Sequence, residues 1–463
     1  MPMENAATPP TLEAYAAQIE ELAQRLGLDY YPVDFEVAPA SLMTEIAVYG
    51  LPVRMRHWSF GVRYIRELVQ RNMGHSRIFE VMFPGDPCKA YLVDANSIAE
   101  NVLVVCHVLG HADFSWRNGL FRRSMAMAGG RILEQAAARA HRIEEALEAH
   151  GQDRVEATLD AALSLEAHID INRELHRAAY LRSHEAVDAP PFGAFHQRWR
   201  ALPGEEPLRS GTPSGPVPVP PQPEYDLLWF IARHAPDLEP WERDIFLAVR
   251  EESFYFYPVF ACQIMNEGWA SYWHARLLRE ADFLPQDLYL SAIKCHSDVV
   301  RPYAAGKTLA LSVNPYHVGF SIWERVVAQR GIDAARDICA EEDDFGFVRN
   351  YLDAELAAEL DLFVYTASGD GEIKVTSRDI HAIREAILTP KFNFGSPRVA
   401  ATHLDADGSL TLVHDHRSDG RGLDIRRAER VLDYVLKIWR RPVTLHTVDE
   451  RGNARVLAKR PQS

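Results

Sequence analysis

Apolar side chains at Leu12, Tyr15, Ile19, Leu22 and Leu26 recur every three or four residues, and Gly27 ends the run. That spacing predicts an amphipathic helix over 11–26 that packs on a larger body. From about Gly129 to Arg182 the chain is rich in Ala, Leu, Glu and Arg and has no proline, which predicts two or three long helices. Residues 203–222, "PGEEPLRSGTPSGPVPVPPQ", cannot hold regular structure, because proline fixes φ and removes donors while Gly and Ser add freedom; they read as a loop or linker. Beyond about Asp361 the pattern changes. "LFVYTASGDGEIKVTS", "RVAATHLDADGSLTLVHD" and "VTLHTVDERGNARVLA" each set two β-rich runs around a Gly-containing turn, and "RDIHAIREAIL" and "LDIRRAERVLDYVLKIW" between them carry helical spacing. We therefore expect a mainly α domain over 1–360 and a small α+β domain over 361–463.

Composition narrows the class. With 463 residues, 47% hydrophobic and 25% charged, the chain can bury a large core, and disorder is not the default. A formal net charge of −15 leaves nothing to supply the counterion-release term of a nucleic-acid binder. "MPMENAATPP" has neither a basic start nor an apolar core, and "VLVVC" is too short to span a bilayer, so we expect a cytoplasmic protein without membrane insertion. Cys88, Cys106, Cys262, Cys295 and Cys339 include no C-x-x-C, which fits scattered thiols and excludes a zinc ribbon. No dinucleotide fingerprint, phosphate loop or G-x-S-x-G elbow is present, so kinase, dehydrogenase and serine-hydrolase readings lose support.

The chemistry concentrates in two apolar helical runs. "SIAENVLVVCHVLGHADF", from Ser97 to Phe114, carries His107 and His111 four residues apart and Glu100 seven before the first. At about 100° per residue all three fall within roughly 40° on one helical face. Two histidines at i and i+4 can give two nitrogens to one metal ion. The plainer alternatives are hydrogen bonding inside a helical core and, for Glu100, a capping box with Ser97. "IMNEGWASYWHARLL", from Ile264 to Leu278, again sets Glu267 and His274 seven apart, among Trp269, Tyr272 and Trp273. A carboxylate in that setting asks for a partner, either a cation or an arginine such as Arg276, unless it caps the helix. Together the runs offer His107, His111, Glu267 and His274, with Glu100 nearby, enough for one metal or two. His57, His168, Asp170, His296 and His317 are weaker candidates for ligands or proton carriers, His57 and His317 lying in stretches that look like loops.

At these residues the chain resembles the SpoVR family, named for stage V sporulation protein R. The resemblance is carried by "LPVRMRHWSFGVRY", "CHVLGHADF", "EESFYFYP", "MNEGWASYWH", "NPYHVGF" and "FVRNYL", with "GSPRVAATH" and "WRRPVTLHT" in the tail, and covers nearly the whole chain. It implies a link to spore cortex formation or to stationary-phase and stress responses, with a PrkA-type serine kinase and a von Willebrand A-like protein as partners. "NEGWASYW" also looks like the helix that supplies the glutamate ligand in some gluzincin-type metallopeptidases, with "HVLGH" in the place of their H-E-x-x-H. That likeness implies a zincin-like helical core and His107, His111 and Glu267 as ligands of a divalent metal, Zn²⁺ first and Fe or Mn as alternatives. The departure is Val108, which stands where the peptidase motif has its general-base Glu and cannot accept a proton. Glu100 or His274 would then handle protons. Three activities follow as expectations: a metal-dependent hydrolase, a two-metal carboxylate and histidine oxidase suggested by Glu-x6-His occurring twice, and a non-enzymatic adaptor.

Overall fold

Ser97 starts the helix on which the architecture turns. Its Oγ accepts from the Glu100 N–H while the Glu100 carboxylate accepts from the Ser97 N–H, a complete capping box, and the helix Ile98–Arg117 that follows is buried along most of its length. It packs on Gln263–Glu280, which packs in turn on Pro315–Glu341. The computed structural model describes residues 11–49, 57–60, 62–65, 80–127, 131–176, 180, 218–301, 313–367 and 373–461. The expected linker therefore falls largely outside the described residues, as does half of "LPVRMRHWSFGVRY".

The helices end where their capping groups end them. Asp344, fully buried, accepts from the Ile264 and Met265 N–H groups, both at 2.9 Å, and so satisfies the start of Gln263–Glu280. Asn314 caps Pro315–Glu341 through the Tyr316 N–H, with Pro315 at the first helical position, where its missing donor costs nothing. The helix expected over 11–26 is Leu12–Arg25, capped by Thr11 and burying Tyr15, Ile19 and Leu22. Long helices also form at Ile132–His150 and Gln152–Ser164, within the stretch expected to be helical. The protein is mainly helical, as the pattern predicted, with small sheets. One of these was not anticipated: Val33–Ala38 pairs in parallel with Cys88–Val93, which pairs antiparallel with Glu80–Phe83 at the edge.

Contacts divide the chain into two units, Met1–Gly151 with Glu252–Gly395, and Gln152–Glu251 with Ser396–Ser463. This differs from the boundary expected at 360/361, for physical reasons that local pattern does not carry. The hairpin Val364–Ala367 and Ile373–Ser377 and the helix Ile380–Leu388 form as predicted, but Ile383 and Leu388 join the buried cluster that holds Trp269 and Trp323, and Glu385 pairs with Arg349 at 2.9 Å. They belong to the first unit. In the second, strands Val399–Leu404, Leu410–His414, Val443–Val448 and Ala454–Lys459 form one sheet in that order, with the two middle strands parallel across the helix Ile425–Trp439. Gln152–Ser164 packs on that helix, and Glu224 pairs its backbone with Ala401 while its carboxylate holds the buried Arg173 at 3.1 Å.

The second unit also holds His168, whose ring is half-buried with Nδ1 out of solvent and whose pKa is pushed down to about 4 by that loss of solvent, against the Pro397 and Leu165 backbone, which raise it. Unfolded chain takes up this proton from about pH 6.5 downward, whereas folded protein refuses it until about pH 4. The stability His168 contributes is thus complete above pH 6.5 and lost as pH falls toward 4, by about 3 kcal/mol. In thermal melts the parent should lose its advantage over His168→Gln across that window; a difference independent of pH would assign the acid sensitivity elsewhere.

Candidate metal centre

The two motif helices meet through their smallest residues. A Cβ on Gly110, between the two histidines, would come 2.7 Å from the Ala270 Cα, whereas one on Gly268, next to Glu267, would come 2.3 Å from the Gly319 backbone carbon of Pro315–Glu341, where the third helix seats as closely. The close approach at Gly110 puts the histidines that flank it across a narrow gap from Gln263–Glu280. The crossing is locked by the fully buried Asp113, which accepts from Trp269 Nε1 at 2.8 Å across the gap and from the Asp29 N–H and Arg117 Nε on its own side. Trp323 Nε1 donates to the Met265 carbonyl at 3.0 Å and ties the third helix on.

Into this gap project His107, His111 and Glu267. Glu267 Oε2 lies 3.6 Å from His107 Nε2 and 3.5 Å from His111 Nε2, and the three atoms fall within 4.8 Å of one another. Those separations are too long for hydrogen bonds, and Glu267 Oε2 is buried without one. They do match a coordination polyhedron: ligands bonded at about 2.0–2.2 Å in a tetrahedral site stand about 3.3–3.6 Å apart. Among the described residues this is the one such group of His, Cys, Asp and Glu.

The outer ring nitrogens set which atoms face the gap. His111 Nδ1 lies 2.8 Å from Asn266 Oδ1, which can only accept, so His111 Nδ1 carries the hydrogen and Nε2 presents a lone pair. His107 Nδ1 lies 2.9 Å from His274 Nδ1, and His274 Nε2 lies 2.6 Å from His296 Nδ1. One direction of donation, His107 to His274 to His296, leaves His107 Nε2 as a lone pair also. Burial and the neighbouring imidazoles hold His274 well below its ordinary pKa, and burial with the Arg279 charge holds His296 down to about 4, so both act as neutral relays of orientation. Two lone pairs and a carboxylate facing each other repel unless a cation stands between them. Burial pushes the His111 pKa down, yet Glu267 above all pushes it up by more; burial pushes Glu267 up, yet His111 and His107 pull it well below the carboxylate range. The cluster holds positive charge either way, as a proton or as a metal.

A cavity of about 440 Å³ opens beside the cluster, lined by Glu80, Val104, His107, His274, Asn314 and Tyr316. The Tyr316 ring stacks on His107 at 5.9 Å. Glu100 lines this cavity as well, but its carboxylate is engaged at Ser97, and its place two helical turns before His107 sets it about 10 Å away along the axis. The structure thus brings together His107, His111 and Glu267, sets His274 behind His107, and leaves Glu100 at the cap. Arg276, a possible partner for Glu267, pairs with Glu280 instead. His317 is on the helix Pro315–Glu341, not in a loop, because Asn314 and Pro315 start that helix before it. His57 contacts Ser59 Oγ at 2.7 Å at the head of a helical stretch, Asp170 accepts from the Asn172 N–H in a turn, and His168 and Asp170 belong to the other unit. The sequence reading missed Asn266, Asp113 and Glu80. An Asp inside the apolar "GHADF" was a usable signal for Asp113; nothing local marks Glu80.

Comparison with known proteins gives this architecture a family. The family model described as SpoVR like protein matches residues 6–395. The chain is also 27% identical to the uncharacterized protein YcgB of Escherichia coli strain K12, over 97% of this chain and 94% of that one. No solved structure matches, so the likeness to gluzincin helices rests on the quoted motifs alone. Among the described residues no helix is long and apolar enough to cross a membrane.

Proposed function

The chain belongs to the SpoVR family, and from its His107, His111 and Glu267 cluster we propose that it is a metal-dependent hydrolase whose resident ion is a divalent metal, Zn²⁺ first. The observation that carries this reading is the buried, unbonded Glu267 Oε2 at 3.5 and 3.6 Å from two imidazole nitrogens. A metal bound there supplies Lewis acidity toward a carbonyl or phosphoryl oxygen. The protein's part is to hold the ligands with His274 and Asn266 and to admit a small ligand through the cavity that reaches His107. The two-metal oxidase has less support, since the Glu100 carboxylate closes a helix cap. The proposed setting is cytoplasmic, in spore cortex formation or stationary-phase and stress physiology beside a PrkA-type serine kinase and a von Willebrand A-like protein.

The test is elemental analysis of untagged protein by inductively coupled plasma mass spectrometry, followed by a panel of amide, ester and phosphoester probes. About one zinc per chain and hydrolysis that a chelator abolishes and Zn²⁺ restores are expected. Two irons or manganese ions per chain would favour the oxidase instead. A metal-free chain from metal-replete medium would overturn the reading and leave a buried polar network in an adaptor.

A further inference from the structure

The charge of the centre is not closed by its three ligands. Two neutral imidazoles and one carboxylate around a divalent cation leave one net positive charge in a site walled by apolar helices, and an unbalanced buried charge is costly. Of the acids that line the cavity beside the cluster, Glu100 is engaged at Ser97 and Asp298 pairs with Arg301, which leaves Glu80. Glu80 begins the edge strand Glu80–Phe83, where its backbone is held opposite Leu92 in the sheet. Its side chain lines the same cavity as His107, His274 and Tyr316. It interacts electrostatically with His107, His111 and Glu267 together, and no hydrogen bond or ion pair engages its carboxylate among the described residues. Its oxygens are not among the three atoms that cluster within 4.8 Å, so it stands outside the ligand set.

We propose that Glu80 is the second carboxylate of the metal centre, a positioning residue that neutralises a divalent cation from the outer coordination sphere without ligating it. The proposal rests on the metal-centre reading above and adds what that reading lacks, a reason for a site of charge −2 to prefer a divalent cation. It also gives a role to the half-buried acid at the head of a strand that otherwise reads "VMF".

The experiment is Zn²⁺ titration of the full-length, chelator-stripped protein against a chromophoric competitor, for the parent, Glu80→Gln, Glu80→Asp and Glu267→Ala, with melting temperatures of the metal-free and zinc-loaded forms. Glu80→Gln is expected to bind one zinc with affinity about 10–100-fold below the parent, the range for outer-shell partners of metal ligands. Glu80→Asp should recover part of that loss. Metal-free Glu80→Gln should melt at or above the parent, because an uncompensated acid has been removed, while its zinc-loaded form gains less on loading. A merely structural Glu80 would instead lower the melting temperature of the metal-free form, and that result overturns the proposal. Parental affinity in Glu80→Gln overturns it too, as does complete loss of zinc with the fold intact, which would make Glu80 a ligand. Failure of the parent itself to bind zinc would bring down the metal centre, an outcome distinct from any of these.

Discussion

Glu267→Ala is expected to empty the metal centre while leaving the helices in place. A structural zinc is bound with about 10–16 kcal/mol shared among its ligands, so one of three protein ligands accounts for roughly 3–5 kcal/mol, or about 10²–10⁴ in affinity. The packing that positions the helix does not pass through this carboxylate: Asp113 still accepts from Trp269, Trp323 still donates to the Met265 carbonyl, and Asp344 still caps Ile264 and Met265. The circular dichroism spectrum should therefore match the parent while zinc, assayed by mass spectrometry after dialysis, falls to background. His107→Ala should lose zinc similarly and in addition leave His274 Nδ1 without its 2.9 Å partner in a fully buried site, so its metal-free form should melt below that of Glu267→Ala. Full metal content in either variant would show that the ion, if present, sits elsewhere.

The three proposed ligands were legible because each carried a local signal. Two histidines at i and i+4 in an apolar run share a face by helix geometry alone, and a Glu two residues before the fully buried Trp269 is a carboxylate placed beside the core. Helices and hairpins were legible for the same reason, since apolar period and turn residues act over a few positions. What escaped depends on partners distant in the chain. Val33–Ala38 finds its parallel neighbour some fifty residues on, Gln152–Ser164 packs on Ile425–Trp439, and the 361–395 segment returns to a core built mostly from earlier helices. Glu80 escaped because its meaning comes wholly from His107, His111 and Glu267, which no window around "RIFEVMF" contains. The family's motif stretches show the same division: the histidines and glutamate in them face one gap, whereas Gly110 and Gly268, read only as part of the pattern, set how closely Gln263–Glu280 packs on Ile98–Arg117 and on Pro315–Glu341.

The seat of Gln263–Glu280 on Pro315–Glu341 should be the most sensitive spacing in the first unit, and Gly268→Ala the variant that changes it most. A Cβ at Gly268 would stand 2.3, 2.5 and 2.7 Å from three backbone atoms of Gly319, and a Cβ at Gly319 would stand 2.1 Å from the Ile264 carbonyl oxygen. No rotamer relieves a clash between a Cβ and a backbone, so the helix Gln263–Glu280 must move away from Pro315–Glu341. Overpacking of this kind costs about 1–3 kcal/mol and sometimes more, and contact with backbone puts Gly268→Ala at the upper end, a fall in melting temperature of about 6 °C or more. The effect should not stop at stability. Glu267 is the neighbouring residue on the helix that moves, and ligand atoms must stay within a few tenths of an ångström of coordination distance for the site to hold its ion. Zinc affinity should therefore fall along with the melting temperature, although position 268 offers no ligand. Gly331→Ala is the control: it lies at φ +84° with nothing within 4 Å of the added Cβ, so it should cost stability through backbone strain alone and leave zinc affinity at the parent value. Equal effects of the two substitutions on zinc would show that the close crossing of the helices does not set the geometry of the site.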